Sequence, residues 1–261
     1  MFIDAWLLAG LIALASVTAL WMLSLALRDS SIVDIFWGTG FAVIVWALAA
    51  ASGRIPGPRA WLLSCLVTVW GLRLSLYILW RNRGKGEDYR YRAWRNDAGR
   101  SWWWRSYFKV FLLQGAVMWL VAAPLVAVVA AGTERALDWL DAAAVAVWVV
   151  GFVFEVAGDW QLARFKSDPA NKGRLMTSGV WRYTRHPNYF GDAAVWWGHF
   201  LFAASGGAWW TMFSPVLMTF LLVRVSGVRL VESALRETKP GYREYMASTS
   251  AFFPLPPRRR P

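Results

Sequence analysis

Residues 178–200, SGVWRYTRHPNYFGDAAVWWGHF, pass from a polar, basic segment directly into an apolar one. In a helix that begins near Asn188, the residues Asp192, Trp196 and His199 share one face by the i, i+4 and i+7 rule, and Asn188 lies one turn before Asp192. Pro187 fits the first turn of such a helix, where its missing N–H costs no hydrogen bond. The stretch therefore predicts an apolar helix that carries polar side chains along one face from its start.

The composition predicts an integral membrane protein. The chain is 57% hydrophobic and 17% charged, whereas soluble domains carry about 25% charged residues. Many of the 20 Trp stand at the ends of apolar runs, as in an interfacial aromatic belt. The formal charge of +12 is explained by the Lys and Arg that cytoplasmic loops collect, so we expect no nucleic acid as a partner. A single cysteine, Cys65, forms neither a disulfide framework nor a thiolate metal site.

The apolar runs predict an all-α polytopic membrane protein of one domain with about seven transmembrane helices. A spanning helix needs about 20 predominantly apolar residues. The runs that meet this length are 5–27, 32–51, 60–80, 107–131, 137–163, 189–205 and 208–231.

The charges of the connections predict the orientation. Residues 81–105 carry eight Lys or Arg against three acids, and residues 164–188 and the tail from Arg236 are also basic. The connections at 52–59, 132–136 and 205–207 are short and nearly neutral. Because basic loops stay in the cytoplasm, we expect the N-terminus outside and the C-terminus in the cytoplasm.

Two acids near the end of the fifth run are candidates for a functional site. Glu155 and Asp159 are spaced i, i+4 and share one helical face. Carboxylates inside a spanning helix are costly and mark a site or a water-filled cavity. The structural alternative is that both acids pair with cations of the following loop, such as Arg164 or Lys166.

The basic residues that flank the opening stretch suit an anionic ligand. Cations beside a helix N-terminus favour phosphate, because the backbone N–H groups and the helix dipole already attract anions there. Together with amides, carboxylates and aromatic rings, this set suits a dinucleotide. The alternative for the cations alone is attraction to anionic lipid headgroups.

The segment from Glu155 to Asp192, EVAGDWQLARFKSDP…GRLMTSGVWRYTRHPNYFGD, resembles the steroid 5-alpha-reductase and sterol reductase superfamily. RHPNYFGD is similar to the RHPNYLGD of the sterol reductases, FKSDP to their FRKNP, and the ending YREYMASTSAFFP to their C-terminal pattern. The resemblance covers about residues 150–257. Upstream, SIVDIFWG and RNRGKGEDYRYR resemble the bacterial steroid-reductase-like subgroup of integral membrane proteins.

The resemblance implies an NADPH-dependent membrane reductase of a carbon–carbon double bond in a steroid-like or other lipophilic enone. Residues 1–150 would line the substrate pocket, and residues 151–261 would hold the cofactor at a cavity open to the cytoplasm, in a bacterial inner membrane. The matching positions, together with Arg164 and Asn171 of the loop between them, are expected to contact NADPH. These residues are Asp159, Arg164, Lys166, Asn171, Arg174, Trp181, Arg185, His186, Asn188, Tyr189 and Asp192.

The resemblance does not identify the residues that would contact the substrate. The Gln-Glu pair of the steroid 5-alpha-reductases has no counterpart here, and Asp34 is the nearest polar substitute. A reduction needs a hydrogen-bond donor at the carbonyl oxygen, where negative charge develops. The candidate catalytic donors are Glu155, Asp34, Tyr91, Tyr89 and His199. The structural alternatives are an interfacial position for the two tyrosines and a core position for His199.

Two other functions stay open at the level of sequence. Isoprenylcysteine-type methyltransferases share an RHPxYxG core and hold S-adenosylmethionine in the equivalent cavity. A non-catalytic protein that binds membrane lipid is the second alternative. The full form RHPNYFGD, the FKSDP loop and the additional cations favour the reductase.

Reporter fusions test the predicted orientation. We expect a reporter near Gly99 and another after Pro261 both to lie in the cytoplasm, because both positions follow basic segments. A fusion in the neutral connection at 52–59 is the control and should report the opposite side. A periplasmic signal at either of the first two positions contradicts the seven-span arrangement.

Overall fold

The computed structural model describes residues 2–53, 56–132, 136–225 and 228–258. The regular secondary structure of the described residues is helical. Turns connect the helices, and one isolated β-bridge joins Thr184 and Ser250. Its α-helices are α1 (Phe2–Leu27), α2 (Ile32–Ala51), α3 (Pro58–Asn82), α4 (Tyr89–Ala98), α5 (Trp102–Ser106), α6 (Leu113–Val121), α7 (Ala123–Ala131), α8 (Trp139–Ser167), α9 (Pro187–Ser205), α10 (Phe213–Phe220), α11 (Val228–Thr238) and α12 (Tyr242–Ser248). The all-α prediction is confirmed.

Four helices, α1, α2, α3 and α8, are long and apolar enough to cross a membrane. A fifth span results if the stretch from α4 to α6 (Tyr89–Val121) and the helix α7 (Ala123–Ala131), which meet at a bend, are counted as one. These helices make the chain an integral membrane protein. The described residues do not confirm seven spans: α9 begins with polar side chains, and the predicted run 208–231 is divided among several short helices.

The bend in the fifth span has a local cause. The two parts of the pair meet at an angle of 50°, and Pro124 lies in the first turn of α7. Proline removes one backbone N–H and disfavours the helical conformation of the residue before it. The predicted span 107–131 therefore changes direction at Ala122, between α6 and α7.

The chain divides into two compact units. Unit 1 comprises Met1–Asp138 and Phe202–Thr211, and unit 2 comprises Trp139–Leu201 and Met212–Pro261. The sequence-based division after residue 150 falls inside α8.

In unit 1, α2 and α3 form an antiparallel pair with a close backbone approach. A Cβ atom added to Gly38 would lie 2.5 Å from the carbonyl oxygen of Gly71. One turn along the pair, the backbone N–H of Thr39 donates to Oγ of Ser75 at 3.1 Å. Small residues and polar side chains at the contact are the usual means by which helices associate in a membrane.

In unit 2, α8 and α9 pack antiparallel through glycines on both helices. A Cβ atom added to Gly191 of α9 would lie 2.5 Å from the backbone nitrogen of Glu155 and 2.5 Å from the carbonyl oxygen of Gly151. Gly158 meets the start of α9, and Gly198 meets α8 farther along. Because no Cβ atom separates the two backbones, the side chains beside these glycines are brought close together.

Substitution of Gly191 by alanine tests this contact. The added methyl group meets backbone atoms of α8, so the helices must separate, and we expect a loss of about 1–3 kcal/mol of stability as for other overpacked sites. Gly206→Ala is the control, because its Cβ atom would lie 3.3 Å from its nearest neighbour, the carbonyl oxygen of Ala203. Thermal unfolding in detergent measures both, and equal melting temperatures for the two variants contradict the close packing.

Candidate functional site

The α8–α9 contact brings together two predicted site residues that are 29 positions apart in the sequence. Nδ2 of Asn188 donates to Oδ1 of Asp159 at 3.2 Å, and Oδ1 of Asn188 accepts from the backbone N–H of Tyr189 at 3.1 Å. Asp159 and Glu155 are 5% and 2% exposed. A buried carboxylate–amide pair at the start of a helix can bind hydroxyl or carboxamide groups of a ligand.

The two basic residues of the RHPN motif contact an acid from α11. Nε and Nη2 of Arg185 donate to Oε1 of Glu232 at 2.8 and 2.6 Å, and Nε2 of His186 lies 3.3 Å from the same oxygen. Burial alone would raise the pKa of Glu232, but the hydrogen bonds from His186 and Arg185 outweigh it and hold that pKa below its usual value. The carboxylate is therefore ionised and balances the charge of Arg185.

The chain after α12 lies along the segment that precedes α9. Nη1 of Arg185 donates to the carbonyl oxygens of Met246 and Thr249, the former at 3.2 Å. The backbone N–H of Arg185 donates to the carbonyl oxygen of Ser250 at 2.9 Å, and Oγ1 of Thr184 donates to that of Phe252 at 2.8 Å. The C-terminal segment thus holds the RHPN motif in place.

Trp181 connects the same segment to the helix contact. Its Nε1 donates to the carbonyl oxygen of Gly158 at 3.1 Å, and its own carbonyl oxygen accepts from the hydroxyl of Tyr245. Next to Tyr245, burial and the nearby Glu232 raise the pKa of Tyr242 to about 12, so this hydroxyl stays protonated at neutral pH. Trp181, predicted as a cofactor contact, therefore also joins α8 to the C-terminal helix α12.

The predicted cations of unit 2 lie at the end of α8 and in the loop after it. Arg164, Lys166 and Arg174 are exposed, and the guanidinium of Arg164 lies 5.5 Å from the ring centre of Trp160. Nδ2 of Asn171 donates to the carbonyl oxygen of Phe165 at 3.1 Å, which orders the start of this loop. Exposed cations in an ordered loop can contact phosphate groups.

The remaining predicted residues of α9 lie deeper along the helix. Asp192 is half-buried and His199 is fully buried. The imidazole of His199 packs edge-on against the ring of Trp196, with 5.4 Å between centroids. The predicted polar face therefore runs from Asn188 to His199.

In unit 1, the structure brings together two of the three predicted donors. The hydroxyl of Tyr91 donates to Oδ1 of Asp34 at 2.7 Å, and Nη2 of Arg90 donates to Oδ2 at 3.1 Å. Nε2 of Gln114 lies 3.4 Å from Oδ1 of Asp34 and 3.2 Å from the Tyr91 hydroxyl. Tyr89 is 74% exposed and takes no part in this cluster.

The stretches SIVDIFWG and RNRGKGEDYRYR therefore meet in the fold. The backbone N–H of Ser30 donates to Oε1 of Glu87 at 2.7 Å, and Arg95 donates to both carboxylate oxygens of Glu87 at 2.8 Å. Burial raises the pKa of Glu87, but the hydrogen bonds from Arg95 and Ser30 outweigh it, so the pKa lies below its usual value. Ion pairs thus anchor the basic segment 81–105 to the start of α2.

Sequence reasoning missed two residues of these clusters, Glu232 and Gln114. Glu232 is one of three acids in a C-terminal region that is basic overall, and Gln114 is a polar side chain inside an apolar run. Both signals are visible in the sequence, but neither indicates the partner, because the contacts cross 47 positions in one case and 80 in the other.

Unit 2 also contains an open apolar groove of about 420 Å³. Residues of α8 and α9 line its sides, and Phe252 and Phe253 of the C-terminal segment line its end. Of its lining residues Thr219 alone carries a hydroxyl, and that hydroxyl already donates to the carbonyl oxygen of Pro215 at 2.7 Å. The lining residues are Ala146, Val147, Val150, Phe190, Ala193, Ala194, Trp197, Thr219, Phe252 and Phe253. Such a surface suits a hydrocarbon ligand.

A protein-family model and a known protein each match most of the chain. The model of a family described as "Protein of unknown function (DUF1295)" matches residues 20–249. An uncharacterized protein of Schizosaccharomyces pombe is 29% identical over 265 residues, which cover 90% of this chain and 75% of that protein. A protein of Ustilaginoidea virens named "Probable O-methyltransferase ustE" is 35% identical over 91 residues, 35% of this chain and 31% of that protein. No solved structure matches the chain.

The buried ion pair predicts a large effect of Arg185→Ala on stability. The variant leaves Glu232 buried without its principal partner and removes the contacts to two carbonyl oxygens, so we expect a loss of about 3–5 kcal/mol. Arg182→Ala is the matched control, because Arg182 is exposed in the same segment and should change stability by no more than about 0.5 kcal/mol. Unfolding curves in detergent compare them, and similar curves for both variants contradict a structural role of the pair.

Proposed function

The chain belongs to the DUF1295 family, and we propose that it is a membrane-embedded enzyme that uses NADPH to reduce a carbon–carbon double bond of a steroid-like or other lipophilic enone. The observation that carries this proposal is the buried Asp159–Asn188 pair at the α8–α9 contact. The pair lies within the segment whose motifs resemble the steroid 5-alpha-reductase and sterol reductase superfamily.

The residues of unit 2 fit the chemical groups of NADPH. The carboxylate of Asp159 can accept from ribose hydroxyls or from a carboxamide, and the amide of Asn188 can both donate and accept. The exposed side chains of Arg164, Lys166 and Arg174 can neutralise phosphates. The ring of Tyr189 is half-buried and stacks on that of His186, with 5.5 Å between centroids, and its outer part can contact a planar group.

Bound NADPH would supply a hydride to the β-carbon of the enone, and the α-carbon of the resulting enolate would take up a proton from the solvent. Glu155 lies one helical turn from Asp159 toward the middle of α8, and in its protonated form it would donate a hydrogen bond to the carbonyl oxygen. Such a donor stabilises the negative charge that develops on that oxygen. His199 is the second candidate donor of this unit. The apolar groove of unit 2 would bind the hydrocarbon part of the substrate and exclude water from it.

The candidate donors Asp34 and Tyr91 form a cluster of their own in unit 1. The Tyr91 hydroxyl donates its single proton to Asp34 and accepts from Gln114, so it would donate to a reacting oxygen only after exchanging the hydrogen bond to Asp34. Tyr89, which is exposed, remains a candidate on the grounds of sequence alone.

Methyl transfer from S-adenosylmethionine is the second candidate function. It is favoured by the partial match to the protein named probable O-methyltransferase ustE and by the shared RHPxYxG core. The cations of the 164–174 loop favour the reductase, because they suit a cofactor with several phosphates better than the sulfonium of S-adenosylmethionine.

The proposed site opens to the cytoplasmic side of a bacterial inner membrane. The support for the cytoplasmic side is the basic character of residues 164–188 and of the C-terminal tail. The support for a bacterial membrane is the resemblance of SIVDIFWG and RNRGKGEDYRYR alone, since a relative that matches 90% of this chain is from Schizosaccharomyces pombe.

Titration of the purified full chain with NADPH and with S-adenosylmethionine tests the proposal. We expect NADPH to bind, and Asn188→Ala and Asp159→Asn to weaken its binding by about 1.5–3 kcal/mol each, as for lost hydrogen bonds to charged groups. Glu237→Gln is the control, since it removes one exposed acid of α11.

Melting curves with and without NADPH separate binding from folding. If Asp159 only balances nearby cations, Asp159→Asn will melt at a lower temperature but keep the full NADPH-induced shift, and its assignment as a cofactor contact is then wrong. Binding of S-adenosylmethionine without binding of NADPH would establish the second candidate instead.

A further inference from the structure

One carboxylate outside the RHPNYFGD motif contacts two consecutive residues of it. Oε1 of Glu232 accepts two hydrogen bonds from Arg185 and lies 3.3 Å from Nε2 of His186. Nη2 of Arg236 lies 3.9 Å from the other oxygen, Oε2. Glu232 is 8% exposed and His186 is 3% exposed, so water competes little for these contacts.

We propose that Glu232 is a positioning residue of the site: it holds the imidazole of His186 in the tautomer with the proton on Nε2 and fixes its ring parallel to that of Tyr189. The proposal rests on the proposed function only where it treats His186 and Tyr189 as ligand contacts. The assignment of the tautomer is independent of that function.

The tautomer follows from the chemistry of the partner. An ionised carboxylate has acceptors and no donor, so a hydrogen bond between it and Nε2 requires the proton to be on Nε2. In the neutral ring Nδ1 is then an acceptor. The ring plane of His186 lies within 9° of that of Tyr189, so the orientation that the hydrogen bond to Glu232 selects is also the one that stacks.

His186 depends on Glu232 more than Arg185 does. Arg185 keeps its contacts to the carbonyl oxygens of Met246 and Thr249 when the carboxylate is removed. Among the described residues, the imidazole of His186 has its hydrogen bond to Glu232. Loss of the carboxylate should therefore release the ring of His186 before it releases the segment that carries it.

Solid-state NMR of the full chain in bilayers, with ¹⁵N-labelled histidine, measures the tautomer directly. The chain contains two histidines, His186 and His199, and the signals that remain in His199→Gln belong to His186. We expect the ¹⁵N shifts of neutral His186 to show the proton on Nε2. A proton on Nδ1 in the wild-type protein overturns the proposal, and this measurement requires no change at Glu232.

Glu232→Gln provides the second measurement. The amide both donates and accepts, so it no longer selects one tautomer, and we expect a mixture at His186 and NADPH binding weakened by about tenfold or more. Glu232→Asp, which keeps the charge, should recover part of the affinity. Glu244→Gln, at an exposed acid of α12, should match the wild type in both measurements.

The outcomes distinguish this proposal from the proposed function. If the wild type binds no NADPH, the proposed function fails, while the NMR result still decides the tautomer. An unchanged tautomer in folded Glu232→Gln overturns the positioning role, as does unchanged NADPH affinity in a protein that binds NADPH. If Glu232→Gln does not fold, the wild-type spectrum and the Glu232→Asp variant decide.

Discussion

The candidate site of unit 2 depends on the close contact between α8 and α9. Glycines on both helices let the two backbones approach so closely that a Cβ atom on Gly191 would collide with α8. This approach places Asn188 within hydrogen-bond distance of Asp159 and leaves the carbonyl oxygen of Gly158 accessible to Trp181. In a membrane, where apolar surfaces give little drive for helix association, such packing is a principal source of specificity.

A buried ion pair then connects the start of α9 to the C-terminal helices. A buried salt bridge adds little net stability when intact, because the desolvation of two charges offsets their attraction, but the loss of one partner is costly. The contact of Arg185 with Glu232 therefore acts mainly to specify one arrangement of the RHPN segment. The same arrangement orients His186, which links the stability of this region to the geometry of the proposed site.

The donor set of unit 2 explains why two functions remain in competition. Carboxylate, amide and aromatic groups can bind the nucleoside part of either NADPH or S-adenosylmethionine. The discrimination between them depends on charge, since the exposed cations of the loop after α8 favour phosphates. The apolar groove, whose single hydroxyl is already engaged, is consistent with a lipophilic substrate in both cases.

The sequence by itself determined the membrane class, the all-α fold and the helical face that carries Glu155 and Asp159. Composition and i, i+4 spacing can both be read without knowing which segments pack together. It also indicated Asp34 and Tyr91 as polar residues of interest, but not that they touch. The tertiary structure alone decided the partners: Glu232 for Arg185 and His186, Asn188 for Asp159, and Gln114 for Tyr91. The bend at Ala122 has a local cause in Pro124, whereas the partners and the division of the last predicted span are visible only in the tertiary structure. These features depend on which helix faces pack together, and a periodic pattern in one segment contains no information about the segment that will cover it.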